Sequence, residues 1–444
     1  MRVLLVTYYF PPAGGGGVQR VLGWCRHLPD AGVDVMVVAP REPHWIDQDT
    51  TLVIPGATQV IRTDDPSPAA VIPRAALAEV TGVRRMLRRL ALQPRRFAVP
   101  DIHRRWRQPA VRAVLAAARA SVDERPFDAV VSSSPPETTH LIGRDVAAEL
   151  GIPWIADYRD SWLDLPHLRT SSALVRLKHR RNVRLATRLM GEAAAAVTVS
   201  EPLAEDLRRR HPALDVTVIE NGIELAPVAR AASRADGFRD VGRFVIAYTG
   251  NFFGRQSASD FLEGLEFALA AEPELRDDLL VRFVGGMKPA EDARARALGD
   301  CVERVEFLRH DDVLAQQRAA DVLLFHVAHG PGSRGVFTGK VFEYVAARRP
   351  VLAFAPADNV GVELLERAGS TRAGGGAVVS DPDDIGVWSD AIIGAWRAWV
   401  EAGGRDGART PDIEVPDELV ASLDRADGAR RLAELLQRTV DSAR

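Results

Sequence analysis

Apolar residues in this chain cluster in short continuous runs, separated by turn residues and by stretches of helical spacing. Arg2–Thr7 (RVLLVT) is such a run, of the kind buried on both faces of a parallel sheet. After the turn YYFPPAGGGG, Val18, Val21, Leu22, Cys25 and Leu28 follow helical spacing, and Val33–Ala39 closes a βαβ unit. The same alternation predicts strands at Thr58–Ile61, Asp128–Ser132, Pro153–Ala156, Ala195–Val199 and Val216–Ile219. Helices are predicted at Ala110–Ala120, Thr138–Leu150, Ser172–Met190 and Pro202–Arg209.

Residues Ile223–Asp240 lose this rhythm. The stretch is polar, rich in Ala and Arg, and reads as a linker. A second alternation starts at Arg243–Thr249, followed by the turn Gly250–Gly254 and a helix from about Ser257. Strands follow at Leu279–Val284, Val305–Leu308, Val322–Phe325, Val351–Phe354 and Ala377–Val379. From about Pro382 the chain looks helical, broken at Gly403–Pro411. The expected organisation is an α/β domain over 1–222, a linker over 223–240, a second α/β domain over 241–385, and C-terminal helices over 386–444 that pack back toward the first domain. Two doubly wound, Rossmann-like domains in tandem place a cleft at the carboxyl ends of their strands, where ligands of such sheets sit.

Composition narrows the class. The chain has 444 residues, enough for two or three cored domains. Its two cysteines, Cys25 and Cys301, form neither a CxxC pair nor a Cys/His cluster, so no disulfide scaffold or zinc site is indicated. No apolar run approaches the ~20 residues of a membrane span. The start, MRVLLVTYYFPP, reads as a first strand rather than a signal peptide, giving a cytoplasmic expectation.

Net charge is −3 but unevenly spread: 30 basic against 24 acidic residues through Gly222, and 27 against 36 beyond it. The excess concentrates in Arg84–Arg107 and Arg176–Arg188. Anionic lipid headgroups, an anionic acceptor or nucleic acid could be the partner, and a solvated arginine-rich helix face accounts for the same charge. No helix-turn-helix, RNP-like or zinc-finger pattern accompanies it, which points away from nucleic acid.

The segment Gly335–Phe354 (GVFTGKVFEYVAARRPVLAF) carries the sharpest chemistry. Gly339 is expected to free the backbone before a helix whose Lys340 and Glu343 share one face, a turn apart. A cation at the positive end of a helix suits a phosphate, and the carboxylate can accept hydrogen bonds from sugar hydroxyls. Lysine is otherwise present only at 178 and 288; arginine supplies every other basic side chain. A solvated helix start before a core strand is the alternative.

Four more loops follow strands. Phe10–Gly17 brings four consecutive glycines to a helix entry, but it lacks the spaced third glycine and the acidic residue of a dinucleotide site. Gly250–Gln256 (GNFFGRQ) directs Arg255 toward the cleft beside a helix capped by Ser257. Arg255 and Lys340 could thus converge on a diphosphate without a metal. Trp154–Trp162 sets Asp157, Arg159 and Asp160 within four positions, suited to proton transfer or to an ion-pair network bracing the loop. His140, after SSSPPETTH, is a candidate acid or base, or a structural helix-face histidine.

Taken in order, YYFPPAGGGGVQRV, ENGI at Glu220–Ile223, YTGNFFGRQ, RFVGG at Arg282–Gly286, VEFLRHDDVLAQQRAADVLL and GKVFEYVAARRPVLAF resemble the retaining GT-B glycosyltransferases of family 4. The resemblance spans nearly the whole chain. It implies a second domain that holds a nucleotide diphosphate sugar and a first domain that holds the acceptor. It implies that Glu343 contacts the donor ribose, Arg255 its diphosphate, the backbone around Arg309–His310 the base, and Gly16–Gly17 the phosphates or sugar. With Gly254, Thr338, Gly339 and Lys340 these form the expected donor site; Asp157, Arg159, Asp160 and His140 are the catalytic candidates. Three departures stand out: Gly335 occupies the place of a first glutamate eight positions before Glu343, Asp260 that of a lysine after Arg255, and Arg159 that of a first-domain histidine.

The activity so implied is metal-independent, retaining sugar transfer without a cofactor. The acceptor would be a sugar, a lipid-linked glycan or a small aglycone, with peripheral membrane contact through the basic half. A sugar-nucleotide epimerase or hydrolase of the same architecture, or a non-catalytic binding subunit, are the rivals.

Overall fold

The computed structural model describes residues 1–41, 48–67, 98–120, 126–160, 162–163, 173–252, 256–306, 308–330, 333–381 and 384–444. The chain folds into two compact units, Met1–Asn221 with Arg425–Arg444, and Gly222–Asp424.

The first unit is built on seven parallel strands: β1 (Arg2–Thr7), β2 (Asp34–Pro40), β3 (Gln59–Thr63), β4 (Ala129–Ser134), β5 (Trp154–Tyr158), β6 (Ala195–Thr198) and β7 (Asp215–Val218). Their order is β3-β2-β1-β4-β5-β6-β7, with Val3 paired to Val35 on one side and Ala129 on the other. Continuous apolar strands are what a sheet covered on both faces requires. Alternate residues of β1 divide between two cores: Val3 and Leu5 face one, Leu4 and Val6 the other. The helices Gly16–His27 and Arg425–Ala443 cover the first face, and Arg107–Ala120 and Thr138–Leu150 cover the second.

The second unit repeats the plan with β8 (Phe244–Thr249), β9 (Leu279–Val284), β10 (Val302–Val305), β11 (Val322–His326), β12 (Val351–Phe354) and β13 (Ala377–Val379), ordered β10-β9-β8-β11-β12-β13 and all parallel. Each unit is thus a doubly wound α/β fold. Among the described residues no helix is long and apolar enough to cross a membrane.

Three expectations are corrected. Residues 223–240 are not a linker: Leu225–Arg234 is a helix of the second unit, followed by a 3-10 turn at Ala235–Phe238. Its Ala231 packs with Leu314 and Ala315, and Arg234 bonds Asp312 at 2.5 Å. The i, i+3 spacing of Leu225, Val228 and Ala231 was hidden because alanine supplies much of the buried face. The C-terminal helices do not act together either. Ile385–Glu401 buries Trp388, Ile392 and Trp396 in the second unit's core beside Ser259–Ala271, whereas Arg425–Ala443 belongs to the first unit. The strand expected at Val305–Leu308 lies three residues earlier, at Val302–Val305, paired with Val281–Val284.

Candidate active site

In the second unit the strand order reverses between β8 and β11, the place where ligands of open parallel sheets bind beyond the strand ends. The helix Lys340–Ala347 starts after β11 and leads into β12. Tyr344 sets its rotation: the buried phenol lies 3.3 Å from the Thr249 N–H, 3.4 Å from Thr249 Oγ1 and 3.3 Å from the Leu324 carbonyl. With that hydroxyl pinned to the ends of β8 and β11, Lys340 and Glu343 are both presented to the end of β8.

The Lys340 ammonium stands 3.7 Å from the Tyr248 ring centroid, a cation–π contact. Beneath it Gly250 has φ +133°, and a Cβ there would come 2.8 Å from Nζ. A Cβ at Gly285 would likewise collide with the Gly250 carbonyl. Phe252 stacks on Tyr248 at 4.0 Å and completes an aromatic wall. Burial pushes the Lys340 amine down to about 7, and Glu343 only partly opposes it. Among the described residues Lys340 forms no ion pair. His326, with Nδ1 2.7 Å from Gln256 Oε1, is pushed down to about 3 by burial and by Lys340, so its ring is neutral near pH 7.

Glu343 is held from the adjoining helix, His310–Ala319. The fully buried Gln317 donates from Nε2 to Glu343 Oε2 at 2.7 Å and to Thr249 Oγ1 at 2.8 Å. His310 Nε2 lies 3.8 Å from Glu343 Oε1, and the carboxylate side chain is 21% exposed. One carboxylate oxygen is therefore fixed while the group keeps access to solvent. A cation over an aromatic ring at a helix start, beside an oriented acceptor, suits an anion linked to a hydroxylated group.

Other expected donor residues fall as follows. Arg309 is exposed at the N-cap of His310–Ala319. The Thr338 hydroxyl is buried without a hydrogen-bond partner among the described residues. Gly339 corrects an expectation: its φ is −54°, ordinary for any residue, and a Cβ there would meet nothing within 4 Å. The backbone freedom is needed at Gly250 instead. The helix read from Ser257 begins at Ser259, with Ser257 Oγ accepting its N–H at 3.2 Å. Gly254 and Arg255 lie outside the described residues, as does most of the basic run Arg84–Arg107.

In the first unit Gly16 and Gly17 open the helix Gly16–His27. Arg159 is 8% exposed and donates to the Gly17 carbonyl at 2.6 Å and the Ser134 carbonyl at 2.7 Å, tying the glycine loop to the ends of β4 and β5. Asp157 has no exposed surface; it pairs with Arg20 at 2.9 Å and accepts from Ser133 Oγ at 2.6 Å. Arg20 also donates to the Ile219 and Glu220 carbonyls. This is the bracing network that the Trp154–Trp162 segment allowed. Asp160 is exposed just beyond β5, where the charges of Arg159 and Asp157 still reach it. His140 is likewise corrected: the ring is wholly buried, bonded to Ser132 Oγ at 2.8 Å and pushed down to about 4 by burial. A side chain without exposed surface cannot reach a substrate hydroxyl.

Sequence reasoning missed Gln317, Tyr248 and Gly250. The one available signal was Gln317 itself, a polar residue three positions after Leu314 on the buried face of its helix.

The family described as "Glycosyl transferase 4-like domain" matches residues 15–222. Residues 15–222 thus match a glycosyltransferase domain model, and the chain as a whole has the GT-B fold. Similar solved structures include sucrose-phosphate synthase from Thermosynechococcus elongatus, at TM-score 0.63 and 19% identity over 99% of both chains. Anabaena HepE in complex with UDP follows at TM-score 0.62 and 16% identity, over 99% of this chain and 100% of that one. WaaG, a glycosyltransferase involved in lipopolysaccharide biosynthesis, gives 0.53 and 18% over 99% of both. At these identities the likeness establishes the fold. No curated protein matches the sequence significantly.

Proposed function

We propose that this chain is a glycosyltransferase that moves a sugar from a nucleoside diphosphate sugar to an acceptor hydroxyl, with retention at the anomeric carbon and without a metal ion. The observation that carries the reading is the pairing of Lys340, half-buried over Tyr248, with Glu343, oriented by Gln317, on one helical turn. HepE has been crystallised with UDP and with UDP-glucose, which makes the uridine nucleotides the first donors to test.

Glu343 accepts hydrogen bonds from the ribose hydroxyls, and the backbone at Arg309–His310 borders the base. In the transfer the bond from C1 to the diphosphate oxygen breaks, its electron pair leaving with the diphosphate. The acceptor oxygen forms the new bond to C1 and gives up its proton. Charge grows on the departing diphosphate, where Lys340 and the amino end of its helix lower the barrier. Gly254, Arg255, Thr338 and Gly339 fall within the same proposed donor site. In the first unit Gly16 and Gly17 are proposed to approach the donor, with Arg159 fixing their loop. Asp160 is the exposed carboxylate left to act on an acceptor proton.

The test is product analysis with UDP-sugar, GDP-sugar and dTDP-sugar donors in EDTA. Transfer with the donor's anomeric configuration is expected. Strict Mg²⁺ dependence would remove the metal-free part, an inverted product the retaining part, and donor consumption with no acceptor product the transfer itself.

A further inference from the structure

Consecutive residues of a strand point to opposite faces of its sheet. Tyr248 of β8 shares one core with Val322 and Leu324 of β11, whereas Ala247, two residues before Thr249, shares the other with Leu323 and Phe325. Glu343 is tied through Gln317 to Thr249, so it belongs to the second face. Lys340 stands over Tyr248, toward the first. His326 ends β11 two residues beyond Leu324 and lies on that first face as well. Its ring meets Phe252 edge-on at 6.1 Å, and Phe252 stacks on Tyr248. Across the strand ends the order is therefore Glu343, Lys340, His326.

The His326 side chain is 5% exposed, and its hydrogen bonding is fixed. Gln256 Oε1 can only accept, so Nδ1 carries the hydrogen of their 2.7 Å bond. A neutral imidazole has one N–H, which leaves Nε2 as a bare lone pair with no hydrogen-bond partner among the described residues. The neighbouring Lys340 offers only N–H donors. A phosphate oxygen, itself an acceptor, suits Lys340 and is refused by Nε2. A hydroxyl hydrogen suits Nε2.

We propose that His326 Nε2 accepts a hydrogen bond from a hydroxyl of the transferred sugar and so takes part in selecting the donor. This rests on the donor reading above: with the ribose at Glu343 and the diphosphate at Lys340, the sugar comes next in the same order, where His326 stands. A buried acceptor that only a hydroxyl can satisfy discriminates against a sugar lacking that group, because the nitrogen is then left unpaired.

Nitrogen NMR of the full chain labelled with ¹⁵N-histidine tests it, the His326 signals being assigned by their loss in His326→Phe or His326→Asn. The Nδ1–H form is expected in the free protein. Calorimetry first selects which of UDP, GDP and dTDP binds, and that nucleotide alone should leave the Nε2 signal nearly in place. Its glucose, galactose or N-acetylglucosamine conjugate should move Nε2 to a hydrogen-bonded position. In calorimetry His326→Phe should bind the nucleotide within about twofold of wild type and lose about five- to tenfold on the sugar conjugate, the worth of one hydrogen bond. An Nε2–H tautomer, equal loss on both ligands, or an Nε2 signal indifferent to every conjugate would overturn the proposal while nucleotide binding, and the donor reading with it, stands. Failure of all three nucleotides to bind would remove the donor reading and this inference together.

Discussion

Gln317 Nε2 lies 2.7 Å from Glu343 Oε2 and 2.8 Å from Thr249 Oγ1, so one buried amide ties the site's carboxylate to the end of a central strand. Both of its N–H groups are used, which leaves Glu343 one rotamer rather than several. Replacing Gln317 by Leu removes both bonds, leaving Thr249 Oγ1 with Tyr344 alone and Glu343 Oε2 without its donor. The expected result is a stability loss of about 1–3 kcal/mol. Donor KM should rise about tenfold or more, equivalent to the loss of one charge-assisted bond, with a smaller change in kcat. Steady-state kinetics together with urea unfolding check both; an unchanged KM would show that Glu343 needs no such support.

Lys340 carries a pH signature. Its amine titrates near 7 in the free protein, and a diphosphate beside it raises that value. Nucleotide binding is then independent of pH below about 7. Above it, binding takes up one proton and weakens roughly tenfold per pH unit until the bound-state value is passed. UDP titration calorimetry from about pH 6 to pH 9 should show this slope, and Lys340→Arg should flatten it. A flat wild-type profile would mean that Lys340 does not meet the phosphates.

The same amine affects stability with a definite sign. The unfolded chain keeps the ordinary lysine value of 10.5, so between about 7 and 10.5 it binds more protons than the folded state. Stability without ligand should therefore rise with pH through that window. Lys340→Met should raise the melting temperature near pH 7 while abolishing nucleotide-induced stabilisation in a thermal-shift assay.

Two glycines should behave oppositely. Gly250→Ala forces a side chain into φ +133° and against the Lys340 ammonium, so it should cost at least 1–3 kcal/mol and most activity. Gly339→Ala has room and an ordinary φ, and should leave stability within about 0.5 kcal/mol. Weakened donor binding in that variant, at unchanged melting temperature, is the expected mark of close phosphate approach; unchanged binding would remove Gly339 from the site.

The Arg20–Asp157 pair predicts a folding defect rather than a catalytic one. Arg20→Met leaves Asp157 buried without its cation and should cost about 3–5 kcal/mol in urea unfolding. Arg20→Met/Asp157→Leu should recover much of that loss, because no lone charge remains. A stable single variant that lacks only activity would restore Asp157 as a catalytic candidate.

The chain's own pattern determined the elements wherever burial is complete. Thr138–Leu150 and Leu279–Val284 were legible to the residue, because apolar runs and helical spacing record a two-sided sheet and its covering helices directly. Lys340 and Glu343 were legible as a pair, since three and four positions along a helix always share a face. Long-range packing decided what spacing cannot carry. Ala-rich 225–234 became a helix because a complementary helix lies against it, and Asp157 became a buried brace because Arg20, far away in sequence, reaches it. The glycine that matters proved to be Gly250 and the partner of Glu343 proved to be Gln317, since φ and side-chain approach are fixed only when separate strands and helices meet.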